Sequence, residues 1–376
     1  MSTRKRPDGF APGMQSKSSS SPRVAALALI VSCFASMACS KHSPLAAPAA
    51  PLSLPTHLCA TGDAPGTCRS VREVEQLLAG PVTLLGVADP PSGSQGAKLL
   101  TLRADSQGKA LVLRAKWRPQ SSDDLINESR KELAAYAVQK LFLDDTEFVA
   151  PPTVARCFPL REYQRFVPSE KATFAGTDCV FGFASYWLED VLTVGAARTR
   201  GLLATDGIWD ANRFGSDPVY RRSLANANLL TYSINHGDAH DEQFLLQSTA
   251  RGWRAFVVDN TISFQSIKNP MLLFREDWSQ IHVSWFPKKA IDRLAKLSDD
   301  DYAALGSVEE LQKHQGNQLV PVQPVNRPAK SDGSAMSWHG DRLRVGLSAN
   351  EIELVKSRIH SLLARSDLAQ LTAPGS

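Results

Sequence analysis

The sequence predicts an α+β fold in two lobes, a β-rich lobe interrupted by one helix and then a mainly helical lobe. Three observations predict it. At 376 residues the chain exceeds what one small core organises, so two lobes are the natural arrangement. Between Val82 and Leu188, apolar and β-branched runs recur between turn residues around a single helix-forming stretch. After Ser216, apolar residues fall three and four apart, the spacing of helices.

The elements follow in order. Val82–Val87 and Lys98–Arg103 read as strands separated by Asp89–Gly96, a loop of turn residues. Ala110–Lys116 is a third strand. Asp123–Leu143 is rich in helix formers and is capped by Ser121 or Ser122. Val149–Pro159 and Cys179–Leu188 are two further strands. Ser216-Asp217-Pro218 starts a helix, a cap residue followed by Pro at the first helical position, and the helix runs to about Asn235. A hairpin of Phe244–Leu246 and Ala255–Val258 turns around Gly252. Pro287–Leu297 and Ser348–Leu363 are helices, the second opened by the capping-box pair Ser348 and Glu351. Residues 313–341 read as an irregular excursion. The expected organisation is a signal peptide at 1–38, a Pro/Ala-rich tether at 39–56, a β-rich lobe at 57–188 and a helical lobe at 189–376.

Charge is uneven along the chain. Residues 1–38 hold Arg4, Lys5, Arg6, Lys17 and Arg23 against Asp8 alone; taking these from the chain's 42 Lys+Arg and 38 Asp+Glu leaves 37 of each. A folded part with no basic surplus argues against a nucleic-acid partner. Val24–Ala38 is an apolar run of 15 residues, short for a bilayer span and suited to a signal-peptide core, with Met14 an alternative start. The run ends at Cys39, and Ala38-Cys39-Ser40 resembles a bacterial lipoprotein cleavage site, although Ser36 stands where such sites prefer Leu. Cys33 matches the local pattern better but would cut the apolar core short. The resemblance implies export, a lipid on Cys39 and a membrane-anchored protein facing the periplasm or cell surface. With Cys33 and Cys39 set aside, Cys59, Cys68, Cys157 and Cys179 remain, an even number that suggests two disulfides. Three connectivities are open. Cys59–Cys68 and Cys157–Cys179 close the shortest loops.

The chemistry concentrates in His236-Gly-Asp-Ala-His-Asp-Glu-Gln243, followed by Val257-Val-Asp-Asn260. Phosphoryl transfer asks little covalent help of a protein. It needs a carboxylate to orient the attacking hydroxyl, an acid for Mg²⁺, and a Lys on the phosphates held by a Glu. A His-x-Asp loop between a helix and a hairpin, with an Asp ending the second strand, has that spacing. Lys116 on a strand and Glu132 in the next helix are the Lys–Glu candidates, with Arg114 on the same strand face as an alternative to Lys116. Asp238 could equally cap a turn, His236 could brace the loop, and His240 could pack the loop or meet a substrate.

These motifs resemble those of the protein-kinase-like superfamily, and most closely those of its secretory-pathway (Golgi casein kinase) group. Glu132-Leu-Ala-Ala-Tyr136, Val149-Ala-Pro-Pro152, Asp238-Ala-His240 and Asp259-Asn260 carry the resemblance, which covers about residues 80–265. It implies a two-lobed kinase-like fold with ATP, or another nucleotide, bound together with Mg or Mn. Asp238 and His236 would then serve catalysis, Lys116 and Glu132 the nucleotide, and Asp259 and Gln243 the metal. The implied activity is phosphoryl transfer to a hydroxyl of a protein or glycan. Gln243 stands where most kinases have Asn, Thr261 stands where a Gly is usual, and Gly93 and Gly96 are the nearest substitute for a Gly-rich loop. Those departures keep a pseudokinase binding module as the alternative. A small-molecule phosphotransferase of the aminoglycoside or choline type is third, because His-Gly-Asp-x-His also resembles its loop.

Overall fold

The computed structural model describes residues 52–53, 57–64, 66–91, 96–106, 108–120, 128–204, 207–265, 276–323 and 334–372. The signal segment, Cys33, Cys39, Gly93, Ser121 and Ser122 lie outside these residues. In chain order the elements are β1 (Leu52–Ser53), α1 (Val71–Ala79), β2 (Val82–Ala88), β3 (Lys98–Ser106), β4 (Lys109–Pro119), α2 (Arg130–Lys140), β5 (Thr153–Pro159), α3 (Leu160–Tyr163) and β6 (Cys179–Tyr186). Then come β7 (Val191–Thr193), α4 (Val194–Thr199), α5 (Ala211–Ser216), α6 (Pro218–Ser233), β8 (Phe244–Thr249) and β9 (Gly252–Val257). The chain continues through α7 (Lys288–Leu294), α8 (Asp299–Ala304), β10 (Glu309–Lys313), β11 (Leu319–Val322), β12 (Met336–His339), β13 (Arg342–Val345), α9 (Ala349–Leu363) and α10 (Leu368–Leu371). The fold is α+β, with mainly antiparallel sheets and ten α-helices among the described residues.

The largest sheet runs β2–β3–β4–β6–β5, with β1 added in parallel beside the free half of β4. Strict alternation along β4 decides what it presents. Leu111, Leu113, Ala115 and Trp117 are buried in the apolar core beneath α1, and Arg114, Lys116 and Arg118 take the opposite face. Sequence patterning did not predict α1, although Ser70 caps it and Val71, Val74, Leu77 and Leu78 form its buried side. The described part of α2 starts at Arg130, seven residues after the expected Asp123. It is buried nearly all round, including Arg130, Lys131 and Glu132.

Residues 313–341 depart most from expectation. Their described parts belong to a four-stranded antiparallel sheet, β11–β10–β13–β12. Leu311, Leu319, Leu343 and Val345 pack it against Phe181 and Phe183 of β6 and Leu133 of α2. Strands this short carry one or two inward apolar positions each, too few for a legible period. Pro321 reads as a breaker, but it is harmless on the edge strand β11.

Two disulfides close the short loops. Cys59–Cys68 has a Cα–Cα distance of 5.0 Å, and Cys157–Cys179 ties β5 to β6 at 5.4 Å. Two disulfides fit an oxidising compartment. Among the described residues no helix is long and apolar enough to cross a membrane.

Glu309 joins the small sheet to the large one, its Oε2 accepting the Ala155 N–H at 2.7 Å. Burial pushes its carboxyl up to about 7, against the Ala155 N–H and Lys140, which favour the anion. The folded protein therefore holds a proton that the unfolded chain releases near 4.5. The stabilisation this proton contributes is complete below pH 4.5 and is lost as pH rises through about 7. Urea unfolding at about pH 5 and about pH 8 should show wild type losing roughly 1–3 kcal/mol more than Glu309→Gln between the two. Equal losses would remove Glu309 as the cause.

Candidate functional site

Lys116 stands at the centre. Its Nζ donates to Glu132 Oε1 at 2.7 Å and to Asp259 Oδ1 at 3.0 Å. Two residues on along β4, the Arg118 guanidinium lies 3.9 Å from the same Asp259 oxygen. Glu132 uses its other oxygen, Oε2, to accept the Asn260 N–H at 3.1 Å and the Asn260 side-chain amide at 3.3 Å. The helix carboxylate thus fixes both the strand lysine and the loop after β9. Arg114 takes no part. It makes a bidentate pair with Glu189, with Nε donating at 2.7 Å, which resolves the register in favour of Lys116.

Charge accounts for the state of these groups. Burial works against the Lys116 ammonium, but Asp259 and Glu132 outweigh it and raise its pKa. Burial also works against the Asp259 anion, yet Lys116 and Arg118 hold that carboxyl well below the usual carboxylate range. The Asp259 side chain nevertheless keeps 39% of its surface open, compared with 7% for Glu132. Asp259 adopts φ of 59°, a left-handed conformation that Asp tolerates better than most residues. The Thr261 hydroxyl donates to Asp259 Oδ1 at 3.2 Å.

The second loop begins where α6 ends. Asn235 has φ of 44°, the Asn235 N–H donates to Tyr232 O at 3.1 Å, and the His236 N–H donates to Thr231 O at 3.0 Å. These are the paired bonds of a Schellman cap with Asn in the left-handed position. The chain then reverses into His236–Gln243. His236 is fully buried, and its Nδ1 accepts the Asp238 N–H at 3.2 Å. Burial lowers its pKa despite the nearby Asp238, Asp259 and Glu132, so the ring is neutral at pH 7 with its proton on Nε2. The ring lies enclosed beneath the loop, where it accepts the Asp238 N–H.

Asp238 is held from two sides. Gln243 Nε2 donates to Oδ2 at 3.1 Å, and His240 Nε2 lies 3.5 Å from Oδ1. The loops that carry Asp238 and Asp259 are joined through their backbones. The Gly237 N–H donates to Ile262 O at 2.5 Å and the Val258 N–H to Gln243 O at 2.9 Å.

The chain matches no protein-family model and none of the curated proteins. The chemistry of the site therefore rests on its own geometry. Lys116, Glu132 and Asp259 form one cluster; Asp238, Gln243 and His240 form an adjoining one. Asp259 and the Thr261 hydroxyl are hard oxygen donors of the kind that suits Mg²⁺ or Mn²⁺. Lys116 and Arg118 suit an anion, and the Asp238 carboxylate can accept a proton. Arg118 was missed in the sequence, and Asn260 was read only as part of the Asp259-Asn260 motif, without its bonds to Glu132. The signal for Arg118 was present, since a strand residue two positions from Lys116 must share its face.

Proposed function

We propose that the protein is an exported phosphotransferase with a two-lobed kinase-like fold, moving a phosphoryl group from a nucleotide to a hydroxyl of a protein or glycan. The observation that carries this reading is the Lys116 ammonium set between Glu132 and Asp259, in hydrogen-bonded register with the loop that holds Asp238. In this reading residues 57–188 and 189–376 form the lobes, residues 1–38 direct export, and a lipid on Cys39 anchors the protein at the periplasmic or cell surface. Lys116, kept in place by Glu132, binds the phosphates. Asp259 would hold Mg or Mn, which when bound neutralises phosphate charge. The acceptor oxygen attacks the terminal phosphorus, the bond from that phosphorus to the bridging oxygen breaks, and the hydroxyl proton passes to Asp238. His236, beneath the loop, keeps Asp238 in position.

Transfer from γ-labelled ATP tests this directly, read as label on the protein or as released phosphate. Asp238→Asn should keep nucleotide binding and lose about 10²–10⁴-fold in rate. An unchanged rate would remove Asp238 from the reaction. A second reading, a pseudokinase binding module, is favoured by Thr261 in place of the usual Gly. Nucleotide binding by wild type without any transfer would select it.

A further inference from the structure

The geometry points to a second binding site, for a small organic carboxylate, at the free edge of β5, with the Arg156 guanidinium and the Cys157 N–H as its donors. It lies away from Lys116. β6 stands between β4 and β5, and strand register puts Arg156 on the face of Trp117, opposite to Lys116.

A cavity of about 260 Å³ opens where α1 ends beside that edge, lined by Gly80, Pro81, Arg156, Cys157, Leu319 and Pro321 among others. Arg156 NH1 donates to Leu78 O, and to Gly80 O at 2.8 Å, carbonyls at the C-terminal end of α1. Phe158, two residues on and on the same face, backs the guanidinium with its ring centroid 5.3 Å away. Nε is buried without a partner, and NH2 has none among the described residues. The two acids that act on Arg156 are committed elsewhere, Glu309 to the Ala155 N–H at 2.7 Å and Glu162 to the Leu84 N–H at 2.8 Å. Burial outweighs them and pulls the pKa of Arg156 down to about 10. Charges taken out of water are ordinarily paired in folded proteins. Here the pair is missing, and the cavity has room for it.

Strand register sets the second donor. β5 is the last strand of its sheet, and antiparallel pairing turns alternate residues toward β6 and away from it. The Leu160 N–H reaches Asp178 O, so Phe158 and Arg156 bond to β6 and the residues between them face outward. Ala155 shows this, since its N–H goes to Glu309. Cys157 has the same parity, and its N–H points off the edge at the cavity it lines. A guanidinium and a backbone N–H can each take one oxygen of a carboxylate. The rest of the wall is mainly apolar, and its other polar side chain, Gln318, gives its Nε2 to Asp178 O at 2.8 Å. One cation among apolar walls suits a monoanion with an apolar body, and the volume limits that body to a few carbon atoms.

Isothermal titration calorimetry of the full-length protein with 3-methylbutanoate, its neutral amide and inorganic phosphate tests the inference. The carboxylate should bind once per chain with a Kd of about 1 mM or below, and the amide and phosphate at least about tenfold more weakly. Arg156→Met keeps an apolar stem and should weaken the carboxylate about tenfold or more. Val320→Asp changes an exposed position of the cavity wall, so its folding does not depend on Arg156. The added carboxylate competes for the guanidinium and should weaken binding by a similar factor. Equal binding of carboxylate and amide would overturn the inference, as would carboxylate binding unchanged in Val320→Asp or in folded Arg156→Met. So would phosphate that binds as tightly as the carboxylate, or no binding of 3-methylbutanoate at about 10 mM.

Discussion

Asp259→Ala should lose the rise in melting temperature that ATP with Mg²⁺ or Mn²⁺ gives the wild-type protein. Free ligand at about a hundredfold excess over Kd stabilises a folded protein by about 2.7 kcal/mol, a shift of several degrees in a chain of this size. The variant removes the carboxylate that Lys116 and Arg118 keep ionised, and with it the most open oxygen donor in the cluster. Lys116 keeps its bond to Glu132, so phosphate contact without the metal should survive only weakly. Asp238→Asn under the same conditions should retain the shift. A melting rise in Asp259→Ala equal to that of wild type would show that the cation sits elsewhere.

The second large effect concerns stability and lies at the first residue of α2, the helix that carries Glu132. Arg130, two residues before Glu132, forms a bidentate pair with Glu351, NH1 donating to Oε2 at 3.0 Å and NH2 to Oε1 at 2.8 Å. Both side chains are buried, and Arg130 Nε also donates to Glu128 at 2.8 Å. Glu351 has a further duty, since its Oε2 accepts the Ser348 N–H at 2.8 Å and caps α9. Burial favours the neutral acid, but the Arg130 hydrogen bond and charge win and lower the pKa of Glu351. The sign follows. The pair contributes stability above the unfolded value of 4.5 and loses it as pH falls below that. Arg130→Ala leaves the buried Glu351 without its charge partner, at a cost of about 3–5 kcal/mol; Glu351→Ala should cost less, because Arg130 keeps Glu128. Urea unfolding would measure it, and a double variant should cost clearly less than the sum of the singles. A single-variant cost below about 1 kcal/mol would mean that the pair does not hold α2 in place.

Much of this site was legible because its signals are local. Leu111, Leu113, Ala115 and Trp117 set the period of β4 and so the face of Lys116, and Asp217-Pro218 announces α6. Ser348 and Glu351 announce α9 by a capping box that the structure contains. Both disulfide pairings follow from short loops. What was not legible depends on contacts distant in sequence. Arg114 and Lys116 share a face, and only the position of Glu189 separates them. The small sheet pairs strands of four or five residues whose partners lie up to 36 residues apart, as Glu309 with Val345. Lys131 looks like a solvated helix charge, yet it is buried with its Nζ 3.0 Å from Glu128 and 3.1 Å from Gln265. Gln243 was legible as a residue of the motif but not in its direction, because that is set by the carboxylate it meets.

The most direct measurement is a crystal structure of the protein with Mn²⁺ and a non-hydrolysable ATP analogue, with the metal located by anomalous scattering. The account predicts an anomalous peak at Asp259, phosphate oxygens in hydrogen-bond reach of Lys116, and the Lys116–Glu132 pair still formed. Phosphates out of reach of Lys116, with no metal on Asp259, would contradict it.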